Sequence, residues 1–172
     1  GVLNNDDLTL VGEGLPTYLL LVDGLIVNWP DDDGLLLSGA SLYSAYAGLY
    51  VADEPARARK LTAKALDYAL RGSCARDDDF CSARTVAVPE LAALLDKANK
   101  GDVSALYISG STWVGYIKQN SSDWNAVAEL SRVEAIMNRV VELDEGYEYG
   151  QAHMYLGALS SILPASLGGQ PD

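Results

Sequence analysis

Alanine and leucine recur at three- and four-residue spacing along most of this chain, and runs that alternate apolar with polar residues are few. A period near 3.6 is what a helix needs to bury one face, whereas a strand needs a period of two. Residues that favour strands are thin, and alanine is the strongest helix former. The pattern predicts an all-α fold. With 172 residues, 49% hydrophobic and 21% charged, the chain is long enough to bury a core of its own.

Punctuation sets the expected helix boundaries. A first helix is expected over 16–28, with Pro16 at an early helical position and Leu19, Leu20, Asp23, Ile26 and Val27 in its pattern. The stretch NWPDDDG stops it, because Pro30 disfavours helix at Trp29. The acidic run 31–33 supplies a cap and favourable charge for a second helix over 33–51. Calcium would require further oxygen ligands at ordered spacing, and none follow. In DEPARARKLTAKALDYALRGSC, Asp53 reads as the cap of a third helix, Pro55 as its first turn and Gly72 as its end. Arg57, Lys60, Lys64 and Arg71 share one face of it, read as solvated, with a partner-docking patch as the alternative.

An irregular stretch over 73–88 follows, then a short helix over 89–99 and a fifth over 102–119. The fifth is apolar nearly all round and so expected at the centre. A short segment covers 124–129. Ser131 with Glu134 three residues on has capping-box spacing for a sixth helix, whose stripe is Val133, Ile136, Met137, Val140 and Leu143. A seventh is expected over 149–163, stopped by Pro164. The uncharged run 34–52 is just long enough to span a bilayer, but serines, glycines and tyrosines dilute it, so a buried helix is expected.

Two joints look alike. An amphipathic helix enters the acidic turn WPDDDG or LDEGYEYG, and a helix rich in tyrosine, glycine and alanine leaves it. Antiparallel helix pairs of this kind, about 34 residues each, read as a tetratricopeptide-like solenoid forming one domain over 1–172.

The chain holds 24 acidic against 12 basic residues, for a net charge of −12. Nucleic acid and anionic membrane surfaces would be repelled. No phosphate loop and no GxGxxG after a strand appears, so no cofactor is expected. His153 is the only histidine, and no nucleophile elbow accompanies it. An enzymatic role would need it accessible in a pocket and bonded to a carboxylate. Cys74 and Cys81 are too few for a zinc site, which leaves a local disulfide or two unpaired thiols, and no metal site is expected. The start at Gly1 is compatible with a cytoplasmic chain that lost its first residues or with a trimmed secreted one. Tyr43, Tyr46 and Tyr50 recur on the second helix, Trp113 and Tyr116 lie on the fifth, and Tyr149, His153 and Gly157 share a face of the seventh. Such side chains either line a ligand site or fill helix contacts.

The stretches GLPTYLLLVDGLI, LYSAYAGLYVADEPARARKLTAKALDYALR, NSSDWNAVAEL and ELDEGYEYGQAHMYLG with LPASLGG resemble, in order and spacing, the T component (TatT family) associated with tripartite ATP-independent periplasmic (TRAP) transporters. The resemblance covers nearly the whole chain. It implies a periplasmic, lipid-anchored, non-enzymatic protein of tetratricopeptide-like helix pairs that forms homotrimers. It also implies association with the solute-binding component, and a channel for a small, hydrophobic ligand. The matching positions are Asn120, Asp123, Trp124, Asn125, Tyr147, Gly150, His153 and Gly157. Together with the inner-helix aromatics they give the ligand-lining candidates Tyr43, Tyr46, Trp113, Tyr116, Asn120, Trp124, Asn125, Tyr149 and His153. The periplasmic address turns Cys74 and Cys81 into an expected disulfide. The lipid-bearing cysteine of the family is absent from this chain, and LGGQPD would lead into further helices that cover an apolar face of the seventh. A generic adaptor that binds a peptide segment is the alternative, although such adaptors commonly present charge on the inner helices, which here carry almost none.

Overall fold

The computed structural model describes residues 8–162, and their regular elements are all helical. They are α1 Leu8–Asn28, α2 Asp33–Tyr50, α3 Pro55–Arg76, α4 Val88–Leu95, α5 Val103–Gln119, α6 Trp124–Ala128, α7 Leu130–Leu143 and α8 Gln151–Ile162. Short 3-10 turns cover Asp78–Ser82, Lys100–Asp102 and Tyr147–Gly150. The expected all-α fold is thus the one found. No helix among the described residues is long and apolar enough to cross a membrane.

α2 lies along α3, α3 along α5, α5 along α7 and α7 along α8, while α1 packs on α2 and α4 on α7. α2 and α5 are neighbours that run in the same direction, since their first turns line one cavity and their last turns another. The buried core forms two clusters. The first joins Leu15, Leu36, Tyr43, Ala47, Ala65, Tyr68 and Ala69 across α1, α2 and α3. The second joins Leu66, Leu91, Trp113, Val133, Met137 and Val140 across α3, α4, α5 and α7. α3 serves both, with Ala65 and Ala69 facing one side and Leu66 the other.

Several boundaries differ from expectation for physical reasons. α1 begins at Leu8, so Pro16 lies inside the helix. The missing N–H is tolerated because Val11 and Leu15 are buried on the same helix and tie its first turns to the core. Gly72 does not end α3, which runs on to Arg76. A Cβ at Gly72 would stand 2.9 Å from Leu37 Cγ, so this glycine marks where α3 touches α2. Asp53 does not cap α3. Glu54 holds the cap position without a side-chain bond, and Pro55 starts the helix. Ser131 is not a cap either, because α7 starts at Leu130 directly after Glu129. A capping box does form, but between Asn99 and Asp102 ahead of α5. Asp32, inside the acidic run, caps α2 by accepting from Leu35 N at 2.8 Å.

α8 starts at Gln151 rather than at 149. Glu148, Tyr149 and Gly150 all have positive φ, 48°, 58° and 75°, and so cannot continue a right-handed helix. The expected stop at Pro164 and the helices expected after LGGQPD lie outside the described residues. Cys74, near the end of α3, and Cys81, in the 3-10 turn that follows, are joined by a disulfide with Cα atoms 4.4 Å apart.

Candidate functional site

The parallel helices α2 and α5 leave a groove between them. α2 contains one charged residue, Asp33, and α5 one, Lys118. At the N-terminal end a cavity of about 530 Å³ is lined by Leu37, Ser38, Ser41, Leu42, Ala105 and Ile108, with Arg76 at its mouth. At the C-terminal end a cavity of about 290 Å³ is lined by Ser44, Gly48, Val114, Gly115, Lys118 and Tyr155, among others. Between them the helices come close: a Cβ on Gly115 would sit 3.6 Å from Ser44 Oγ.

Arg76 ties the mouth of the larger cavity. Its Nε donates to Asp102 at 3.1 Å, one Nη to Asp33 at 3.3 Å and the other to Gly101 O at 2.7 Å. One side chain from the end of α3 thereby links the first turn of α2 to the entry of α5. Two carboxylates against one guanidinium leave that end with no spare positive charge.

Two further polar clusters lie in the helix contacts. Asp23 of α1 accepts from Tyr43 Oη at 2.7 Å and from Tyr68 Oη at 2.8 Å. The Lys64 ammonium bonds to the same carboxylate, and to Tyr43 Oη at 3.1 Å. Burial alone would raise the Asp23 carboxyl. The bonds from Lys64, Tyr43 and Tyr68 outweigh it and hold the group below its ordinary value. Burial, with the Asp23 bond added, pushes the Tyr68 phenol up to about 12 and raises Tyr43 in the same way. Lys64 is therefore engaged with α1 and α2, a correction to the fully solvated face expected for the α3 cations. In the second cluster Glu129 accepts from Trp113 Nε1 at 2.6 Å and from Arg84 Nε and Nη at 3.1 and 3.2 Å. The Arg84 guanidinium stands 5.1 Å over the Tyr116 ring.

The nine candidates from the sequence are not brought together, and none of them lines either groove cavity. Tyr43 and Tyr46 are buried on the α3 side of α2, and the Tyr46 hydroxyl accepts from Arg57 at 3.1 Å. Trp113 is fully buried against α7. Tyr116 lies under Arg84, and the Asn120 amide donates to Tyr116 O at 2.9 Å. Trp124 and Tyr149 stand 83% and 99% exposed, and Asn125 is exposed beside Trp124. His153 is exposed on α8, near Gly150 and without a hydrogen bond among the described residues. The pocket and carboxylate bond that a catalytic His153 would need are not found around it among the described residues.

The residues that do line the groove were missed, and a signal for them exists. Ser38, Ser41, Ser44 and Gly48 recur at three and four along α2, as Ser104, Ile108, Ser111, Gly115 and Lys118 do along α5. Among the described residues no three His, Cys, Asp or Glu side chains come together to hold a metal ion. Chemically the groove offers hydroxyls and apolar walls, with Asp33 and Arg76 at one end and Lys118 at the other, a lining suited to binding a guest. No curated protein matches the chain. The model of the family described as the TRAP transporter T-component matches residues 4–172, and the chain belongs to that family.

Proposed function

We propose that this chain, within the accessory role its family holds in TRAP transport, docks the periplasmic solute-binding component and offers the α2–α5 groove as a path for a small, hydrophobic ligand. The observation that carries the reading is the groove itself. Its two adjoining cavities, of about 530 and 290 Å³, follow one pair of parallel helices and are lined mainly by small and apolar side chains. Small residues leave room for a guest, and a sparsely charged lining does not penalise an apolar one. The same reading makes the protein a non-enzymatic, tetratricopeptide-like solenoid of a single domain. It places the chain in the periplasm, held by an N-terminal lipid, and in a homotrimer.

Pull-down of the full chain with its cognate solute-binding protein tests the docking. Retention of both proteins at micromolar concentration is the expected outcome; no association at that concentration overturns it.

A further inference from the structure

We infer that the outward face of the first half of α3, built on Arg57, Arg59, Lys60 and Lys64, docks an acidic surface of the solute-binding partner; this rests on the docking proposed above and gives it a face and a chemistry.

Charge is unevenly spread over the molecule. The chain has 24 acidic and 12 basic residues, yet the stretch 55–66 holds these four cations and no carboxylate. Ala56, Lys60 and Ala63 share the outward face, and all three are exposed, as is Arg59. The two alanines keep that face low, so a partner surface can lie across it and reach the cations on either side. Many other cations are neutralised within the fold: Arg71 by Asp67, Arg76 by Asp33 and Asp102, Arg84 by Glu129, Lys97 by Asp79 and Arg139 by Glu142. Within the patch Arg57 has Glu54 and Lys64 has Asp23. Arg59 and Lys60 have no carboxylate partner among the described residues. Lys100, Lys118 and Arg132 also lack one, but none of them is next in sequence to another cation.

This arrangement costs the helix stability. Arg57 lies in the first turn of α3, the positive end of the helix dipole, and that turn contains no acidic residue. Lys60 stands three residues after Arg57 and four before Lys64, spacings at which like charges repel on a helix. Glutamate at 60 would turn both repulsions into attractions. The rest of α3 agrees with its fold: proline opens it, alanines pack its inner face, and Arg76 sits in its last turn. A local rule broken without a compensating contact inside the chain marks residues kept for something outside it. Carboxylates of a partner supply the missing contacts, and long-range attraction between the two surfaces speeds their encounter. An anionic bilayer fits less well. α3 exposes no large hydrophobic side chain to enter lipid, and the net charge of −12 opposes the approach.

The test uses the full chain and its cognate solute-binding protein, with affinity read by titration calorimetry. Arg59→Glu combined with Lys60→Glu should weaken association by about tenfold or more. Lys60→Arg keeps the charge and should stay within about twofold of wild type. Lys100→Glu, the same charge change at the opposite end of the helices, should do the same. Raising sodium chloride from about 50 to about 300 mM should weaken wild type severalfold and the double variant little. The thermal midpoint of the double variant should equal or exceed that of wild type, which separates a lost contact from a lost fold. Full affinity in the double variant, or a midpoint well below wild type, overturns this face and leaves the docking reading standing. No association in wild type overturns both. Phosphatidylglycerol vesicles bound by wild type and not by the double variant, with the protein partner bound equally by both, assign the face to a bilayer and overturn the proposal. A changed oligomeric state of the double variant in sedimentation assigns it to a second copy of this chain and likewise overturns it.

Discussion

Around Asp23, helices α1, α2 and α3 meet through alanines and tyrosines; around Glu129, α5 and α7 meet through tryptophan, valine and methionine. In the first region Ala40, Ala47, Ala58, Ala65 and Ala69 are fully buried beside Leu15 and Leu36, and the buried Tyr43 and Tyr68 bring their hydroxyls together on one carboxylate. In the second, Trp113, Val133, Met137 and Val140 are fully buried and a single indole N–H reaches the carboxylate. Alanine brings backbones close but removes little apolar area from water, so the first region depends more on its polar centre. The second buries a larger apolar payload and treats its carboxylate as an anchor at one end of a packed ring. Both use the same device, a carboxylate shared by an aromatic donor and a cation, with different weight on it.

The contrast can be broken at its heavier side first. Trp113→Ala removes the largest fully buried side chain and leaves Glu129 without its indole donor. It should cost about 4 kcal/mol in urea unfolding. A cost no larger than that of a change at Asp23 would show that the two regions are not stabilised differently.

Asp23→Asn should cost about 2 kcal/mol at neutral pH, because Lys64 loses its charged partner while remaining partly buried. The folded-state carboxyl lies below its ordinary value of 3.8, so this contribution is present above that value and is lost as pH falls through the folded one. The gap between variant and wild type should narrow below pH 4. A gap that stays constant down to pH 2 would mean that the carboxylate charge is not what matters.

Tyr68→Phe is the mildest change, about 1 kcal/mol, since the ring stays and one bond to Asp23 goes. Its signature is at the other end of the scale. A phenol raised from 10 to about 12 stabilises the fold below pH 10 and loses that contribution as pH rises towards 12. The wild type should therefore lose its advantage over Tyr68→Phe across that window, read by thermal unfolding at stepped pH.

The helices were legible because burial imposes its period on sequence: the stripe of α7 and the alanines of α3 appear in place. Their ends were less legible. Gly72 as a helix stop and Gly72 as a contact with Leu37 look identical in one sequence, and only the facing helix separates them. Ser131 and Glu134 have cap spacing, but Glu129 starts α7 first and its side chain is committed to Arg84 and Trp113. The candidate site was the least legible part. Tyrosines on weakly charged helices suggested a lining, yet the hydroxyls of Tyr43 and Tyr46 find partners within the fold, which lets them sit in the core. Several positions that carried the family resemblance are punctuation: Asn120 ends α5, Asp123 caps α6 by accepting from Asn125 N at 2.9 Å, and Gly150 turns the chain into α8. Such residues identify an architecture without touching what it holds.

Arg76 has a consequence for how the groove can breathe. Near Ser44 and Gly115 the distance between α2 and α5 is set by contact between small groups, which neither salt nor pH alters. At the opposite end the helices are spanned by a guanidinium strut anchored in a third helix, and its grip on Asp33 and Asp102 is electrostatic. The groove is thus hinged at a fixed waist and adjustable at one lip, with ionic conditions outside the protein acting on the lip alone.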